Sequence, residues 1–103
     1  MSFENLYVDE FKESYEAHTN AVLLDVRTPE EIAQGTIDGS ININAFDADF
    51  AAKLGKLDSS KAYFVYCRSG RRSANACQLL AKQGVKELFN LEGGYMAWED
   101  SGY

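Results

Sequence analysis

The sequence contains few of the residues on which many small proteins depend, with two cysteines, one proline and one histidine among 103 residues. Two thiols are too few for a disulfide framework, and the spacing of Cys67 and Cys77 fits neither a zinc site nor a CxxC redox pair. We therefore expect both thiols to be reduced. There is no proline-rich linker, repeat or low-complexity segment, so residues 1–103 are expected to form one unit.

Long apolar runs and an excess of basic charge are also absent. No stretch approaches the roughly 20 apolar residues of a membrane span, and the segment MSFENLYVDEF lacks the basic-then-apolar order of a signal peptide. The formal net charge of -6 disfavours nucleic acid or an anionic membrane as a partner, because both bind broad basic surfaces. The sequence therefore predicts a soluble cytoplasmic protein that binds neither nucleic acid nor a membrane.

Strand-like and helix-like segments alternate along the chain. The strongest strand signals are the continuous apolar runs over 21–26 and 62–67, which are typical of buried parallel strands. Weaker strands are predicted over 6–8, 40–44 and 87–91, and helices over 9–18, 29–35, 45–57, 71–83 and after the glycine pair at 93–94. This alternation predicts an α/β fold with a parallel sheet, in which ligands bind at the carboxyl ends of the strands.

Local signals predict where several helices begin and which residues they bury. Asp9 is a plausible cap for the first helix, and in TPEE the residues Thr28, Pro29 and Glu31 suit the cap, first and third positions of the second. Helical spacing over 45–57 aligns four apolar residues on one face: Phe46, Phe50, Leu54 and Leu57. The corresponding stripe over 71–83 is Ala74, Cys77, Leu80 and Ala81.

The stretch CRSGRRS, residues 67–73, crowds three of the four arginines around one thiol in an acidic chain. Cys67 ends the strongest strand, and Gly70 gives the following loop the freedom to turn its N–H groups inward around an anion. Arg71 and Arg72 fall in the first helical turn, where each cation is unfavourable by roughly 0.3–1 kcal/mol unless an anion lies nearby. We expect a Cys67 thiolate with a lowered pKa, reachable by an anionic substrate.

Cys67 and the other reactive residues could instead have purely structural roles, and the sequence leaves this alternative open. A cysteine at a strand end can be a small buried hydrophobe, and Cys77 is expected to pack in the core rather than act as a resolving thiol. His18 is expected to interact with the dipole of a helix C-terminus, so a Cys–His hydrolase would have to recruit it across the fold. Asp25 and Arg27 follow a buried strand and either form an ion pair or reach the mouth of the site.

Three ordered motifs resemble the single-domain rhodanese, or thiosulfate sulfurtransferase, family from about Leu6 to Trp98. CRSGRR matches the family's Cys-x-x-Gly-x-Arg active loop, with LLDVRTPEE upstream and LEGGYMAW downstream. The resemblance implies one rhodanese-like α/β domain over 1–103, with a small central, mostly parallel sheet flanked by helices on both faces. It departs from the family at Thr36, where the family commonly has histidine and where a hydroxyl can still hold the turn.

The resemblance also implies roles for the loop. Cys67 is expected to take a sulfane sulfur from thiosulfate or a similar donor as a persulfide, which a thiol, cyanide or a thioredoxin-like protein then removes. The implied substrate-binding residues are Arg68, Ser69, Gly70, Arg71 and Arg72, with Asp25 and Arg27 supporting them. Arg72 is expected to brace the loop and Arg68 to help bind the oxyanion. No metal or organic cofactor is implied.

Two rival functions use the same residues. A cysteine phosphatase resembles this fold but wraps phosphate in a Cys-x5-Arg loop, whereas Arg72 stands at Cys-x4-Arg and Ser73 follows it. The shorter loop favours attack on a smaller sulfur centre. A binding or regulatory module would keep the fold without turnover, but such modules usually lose the cysteine that this chain retains.

Overall fold

Five parallel strands form one sheet in the order β1-β5-β4-β2-β3. The computed structural model describes residues 2–103, and the strands are β1 (Glu4–Leu6), β2 (Ala21–Asp25), β3 (Ile41–Asn42), β4 (Ala62–Tyr66) and β5 (Glu87–Leu91). The predicted α/β class is confirmed, and every strand pair of this sheet is parallel. Parallel pairing requires a crossover between neighbouring strands, which the helices supply.

Helices cover both faces of the sheet. They are α1 (Val8–Ala17), α2 (Pro29–Ile32), α3 (Phe50–Leu54), α4 (Arg71–Lys82) and α5 (Gly94–Asp100). Residues of α1 and α5 pack with Phe64 on one face, and residues of α3 and α4 pack with Val65 on the other. Within residues 2–103, each helix is too short or too polar to cross a membrane.

The central strand β4 is buried along its whole length, which explains why its sequence is an unbroken apolar run. Phe64 meets Phe11 and Tyr15 edge to face on one side, at centroid distances of 5.5 and 5.7 Å. Burying each such ring contributes roughly 1.5–3 kcal/mol. Cys67 directly follows this strand, so the rigid centre of the sheet positions the thiol at its carboxyl edge.

Helix α2 begins where the sequence predicts, but it ends earlier than predicted. Thr28 accepts from the Glu31 N–H, and the Glu31 carboxylate accepts from the Thr28 N–H, as a capping box requires. The helix ends at Ile32 rather than near Gly35. Gly35 has a φ of +140°, and its carbonyl accepts from Arg27, so the chain leaves the helix to reach that side chain.

Two further local predictions are wrong. The cap position of α1 is Tyr7, and Asp9 lies inside the first turn. Its carboxylate still interacts favourably with the helix dipole there. Phe46 lies outside α3 and is 70% exposed. The Asn44 side chain accepts from the Phe46 N–H and the Asn44 carbonyl accepts from Asp47, so a turn replaces the predicted helical start.

The start of α5 is packed directly against the loop that follows β4. The N–H groups of Tyr95 and Met96 donate to the carbonyls of Cys67 and Arg68 at 2.8 and 3.2 Å. Gly94 has a φ of +62°, and a Cβ atom there would overlap the backbone of Arg68 and Ser69. Glycine is therefore required both for the left-handed backbone and for the close approach.

We predict that Gly94→Ala destabilises the protein by about 3 kcal/mol or more, because steric overlap adds to left-handed strain. Gly84→Ala is the matched control, since Gly84 has a φ of +96° but no atom within 4 Å of the added Cβ position. It should cost only the strain, about 1–2 kcal/mol. Urea unfolding of both variants measures the difference, and equal losses would contradict the packing argument.

Candidate active site

The sulfur of Cys67 is held by the loop that opens α4. The Gly70 N–H donates to Sγ at 3.1 Å, and the Ser73 hydroxyl donates to it at 3.4 Å. Gly70 adopts a φ of +101° at the cap position of α4, and a side chain there would crowd the Leu91 carbonyl oxygen at 3.2 Å. The tight turn explains why the loop can direct its N–H groups inward.

The environment of Cys67 lowers its pKa, as the sequence predicted, and the N–H groups at the start of α4 contribute as expected. Burial by itself would raise the pKa of the thiol, but hydrogen bonds from the Ser73 hydroxyl and from the backbone of Ser73, Gly70 and Ser69 outweigh it. The sequence assigned this effect to the helix start and the arginines. The structure adds Ser73, which lies fully buried on the inner face of α4.

Cys67 is less accessible than the sequence suggested. Its exposed fraction is 0%, whereas the expectation was a directly reachable thiol. The sulfur lies beneath the loop because β4 ends inside the core and α5 covers the loop from outside. Any molecule that reacts with the thiol must therefore enter the loop itself to reach Sγ.

Arg72 braces the loop through Glu31, for which the sequence predicted only a capping role. Its guanidinium contacts the Glu31 carboxylate through two hydrogen bonds of 2.7 and 2.9 Å, and it stacks over the Phe46 ring at 5.3 Å. These contacts join α4 to α2. Because 41 residues separate the partners, nothing in the local sequence distinguishes a capping Glu31 from one that also binds an arginine.

The other two loop arginines are exposed, and one of them lines a cavity. This mouth cavity has a volume of about 250 Å³ and is lined by Arg27, Glu31, Gln34, Arg68, Tyr95, Met96 and Glu99. Arg68 therefore borders the space beside the loop, and Arg71 does not line it. Glu99 and Gln34 belong to no motif, so the local sequence does not indicate that they line the cavity.

Asp25 and Arg27 form a buried ion pair, the first of the two roles predicted for them. Arg27 Nη2 contacts Asp25 Oδ2 at 2.8 Å and also donates to the Gly35 carbonyl at 2.8 Å. The guanidinium stacks against the Tyr95 ring, 4.3 Å from its centroid. Arg27 also lines the mouth cavity, so the pair supports one wall of the site.

Thr36 holds the turn after α2 through its hydroxyl, as expected. Thr36 and Ser40 hydroxyls lie 2.8 and 2.7 Å from the Tyr66 hydroxyl, which also accepts from the Ile37 N–H at 3.2 Å. Burial, partly offset by these hydrogen bonds, raises the pKa of Tyr66. The hydroxyl cluster ties the 36–40 turn to the last residue of β4.

His18 and Cys77 are structural residues here. His18 donates from Nδ1 to the Ser14 carbonyl at 2.7 Å, and its Nε2 meets Glu87 at the start of β5, the opposite edge of the sheet from Cys67. Cys77 packs in the core, where burial raises its pKa to about 12. Within residues 2–103, no group of three or more histidine, cysteine, aspartate or glutamate side chains could hold a metal ion.

These features define an α/β protein in which a parallel strand ends in a thiol enclosed by N–H and hydroxyl donors. The chain belongs to the rhodanese-like domain family, because the sequence model of that family matches residues 7–101. The resemblance inferred from the three motifs is thereby confirmed.

Individual relatives cover nearly the whole chain. The Bacillus subtilis protein named "Putative sulfurtransferase YtwF" is 41% identical over 99 residues, which is 96% of this chain and 93% of that protein. "Thiosulfate sulfurtransferase GlpE" of Shewanella oneidensis is 32% identical over 100 residues, covering 97% and 96%. A crystal structure of a rhodanese-related protein from Thermoplasma volcanium matches with a TM-score of 0.83 at 32% identity, covering 98% and 95%. The fold predicted from the sequence is confirmed.

We predict that Ser73→Ala slows alkylation of Cys67 by iodoacetamide about three- to tenfold near neutral pH. The change removes a hydrogen bond that favours the thiolate, and a typical hydrogen bond contributes about 0.5–1.5 kcal/mol. Ser69→Ala is the control, because alanine retains the backbone N–H. The alkylation rate as a function of pH measures the effect, and identical profiles for both variants would contradict the role of the Ser73 hydroxyl.

The ion pair between Glu31 and Arg72 should make stability depend on pH. Arg72 lowers the pKa of Glu31 from 4.5 to about 2, so the contribution is complete above pH 4.5 and disappears as the pH falls towards 2. Glu31→Gln should therefore cost roughly 2–3 kcal/mol at pH 7 and much less at pH 2.5. Urea unfolding at both values tests this.

Glu30→Gln is the matched control for that experiment. Glu30 is an exposed carboxylate of the same helix and has no ion-pair partner within residues 2–103. Its replacement should change stability by less than about 0.5 kcal/mol at either pH. A pH-independent loss for Glu31→Gln would mean that packing, rather than the charge pair, carries the interaction.

Proposed function

We propose that this protein is a rhodanese-type sulfurtransferase that carries sulfur as a persulfide on Cys67. The observation that carries the proposal is the enclosure of Cys67 Sγ by the Gly70 N–H and the Ser73 hydroxyl, with a lowered pKa. A thiolate is the nucleophilic form of cysteine, so this environment activates it without a histidine. The names of the two relatives described above support the same activity.

In the first half-reaction, the Cys67 thiolate attacks the outer sulfur of thiosulfate or a similar donor. The Sγ–S bond forms as the donor's S–S bond breaks, and sulfite leaves with the electron pair of that bond. The product is a Cys67 persulfide anion. The N–H groups that held the thiolate then stabilise the negative charge on the added sulfur, because an inward-facing ring of donors serves either atom.

In the second half-reaction, an acceptor thiolate or cyanide attacks the outer sulfur of the persulfide. The new S–S or C–S bond forms while the Sγ–S bond breaks, and Cys67 departs as a thiolate. The lowered pKa that favours the Cys67 thiolate in the first step also makes Cys67 a better leaving group in the second. No net oxidation occurs over the two steps.

The arginines divide between architecture and binding. Arg72 is held by Glu31 and fixes the start of α4, which carries Ser73 to the sulfur. Arg68 lines the mouth cavity and is free to meet the oxyanion of the donor. The loop between Cys67 and Arg72 is one residue shorter than a phosphatase loop, which favours a sulfur atom over a phosphate group.

We predict that incubation with thiosulfate, followed by removal of the donor, adds one sulfur atom to the intact mass of the protein. Cys67→Ser should abolish the increase, whereas Cys77→Ser should leave it unchanged, because the pKa of Cys77 is raised to about 12. Cyanide should then restore the original mass and release thiocyanate.

Three outcomes would contradict this function. An unchanged wild-type mass, under conditions that load a known rhodanese, would favour a binding module. Loading at Cys77 would mean that the reactive thiol was misassigned. Hydrolysis of an aryl phosphate faster than sulfur transfer would favour the phosphatase.

A further inference from the structure

The mouth cavity contains four charged side chains, two of which are neutralised within the protein. Arg27 is paired with Asp25, and Glu31 is paired with Arg72. Each pair is held by at least two hydrogen bonds, so its two opposite charges neutralise each other. These residues shape the wall but offer little net charge to a ligand.

The other two charges of the cavity are opposite in sign and unpaired. Arg68 and Glu99 have no ion-pair partner within residues 2–103. Arg68 is adjacent to Cys67 in the chain, and Glu99 borders the same space from α5. The cavity therefore presents one free cation and one free anion next to the loop that holds the thiol.

The position of Glu99 runs against the usual preference of a helix. It lies in the last turn of α5, which contains no basic residue, and a carboxylate there is unfavourable by roughly 0.3–1 kcal/mol. Tyr95 and Met96 precede Glu99 by four and three residues, so the three share one face of the helix. The N–H groups of Tyr95 and Met96 bind the loop, and this anchors the face that carries Glu99.

We propose that the mouth cavity binds a small thiol carrying both a carboxylate and an ammonium group, and that this thiol is the acceptor of the Cys67 persulfide sulfur. Arg68 binds the carboxylate and Glu99 the ammonium. The volume of about 250 Å³ lies below the usual range for ligand pockets, which suits a small molecule. This inference rests on the sulfurtransferase function proposed above.

The transfer itself is a balanced thiol–persulfide exchange. The acceptor thiolate attacks the outer sulfur, its new S–S bond forms, and the Sγ–S bond breaks to return the Cys67 thiolate. Binding both charges of the acceptor orients its sulfur towards the loop, which increases the rate without altering the chemistry. The free Arg68 can serve the donor's oxyanion first and the acceptor's carboxylate afterwards.

The test measures discharge of sulfur from thiosulfate-loaded protein to four small thiols. Cysteine carries both charges, cysteamine only the ammonium, 3-mercaptopropionate only the carboxylate, and 2-mercaptoethanol neither. Loss of one sulfur atom from the intact protein mass is followed with time. Each rate is compared with the rate for the same thiol in a variant, so that differences in intrinsic thiol reactivity cancel.

Glu99→Gln should slow discharge to cysteine and cysteamine about two- to fivefold, the effect expected for an exposed charge pair. It should not slow discharge to 3-mercaptopropionate or 2-mercaptoethanol. Arg68→Gln should slow discharge to cysteine and 3-mercaptopropionate more than discharge to 2-mercaptoethanol, with each rate compared with that of the wild-type protein for the same thiol. Salt should reduce all these differences, because the groups are exposed.

Asp100→Asn is the matched control, since Asp100 is an exposed carboxylate of the same turn that does not line the cavity. It should leave all four rates unchanged. Equal effects of Glu99→Gln on all four thiols, or no effect on any, would overturn the proposal. So would discharge to a protein dithiol that outpaces every small thiol and depends on Glu99. Failure of the wild-type protein to load sulfur would be seen before any acceptor is added, and it would overturn the sulfurtransferase function as well.

Discussion

The conformation of the loop around Cys67 depends on hydrogen bonds from the start of α5 to the backbone carbonyls of the loop. The carbonyls of Cys67 and Arg68 point to the N–H groups of Tyr95 and Met96, which lie outside the loop. With these carbonyls turned outward, the N–H groups that follow are free to face the sulfur. A helix N-terminus has N–H groups without internal partners, so the same contact also satisfies α5. The absence of a side chain at Gly94 permits this approach.

Burial and hydrogen bonding act in opposite directions on the thiol, and hydrogen bonding prevails. A fully buried cysteine without donors would stay protonated, as Cys77 within α4 illustrates. Cys67 differs because the first turn of α4 supplies N–H groups and the Ser73 hydroxyl. Two cysteines ten residues apart thus have opposite chemical character. The distinction comes from their positions relative to a helix start rather than from their exposure, since both are buried.

Charge pairing separates the arginines that support the site from the one that lines the mouth cavity without an ion-pair partner among the described residues. Arg27 and Arg72 are each held by a carboxylate, and these pairs fix Arg27 and Glu31, two of the side chains that line the mouth cavity. Arg68 lines the cavity without such a partner within residues 2–103. The arginines of CRSGRRS therefore differ in role: Arg72 is held in an ion pair, whereas Arg68 lines the mouth cavity.

The sequence by itself determined the parallel α/β fold and the location of Cys67, because both follow from local patterns. The unbroken apolar run over 62–67 is a consequence of burial on both faces, and the capping box at Thr28 depends on neighbouring residues. Phe46 was assigned wrongly because its spacing fits a helix that the Asn44 turn prevents. Only the tertiary structure decided that Ser73 faces the sulfur, that Glu31 holds Arg72, and that Cys67 is fully buried. These properties arise from contacts between segments that are distant in the sequence. Helical periodicity and local motifs do not predict which side chains will be in contact across such distances.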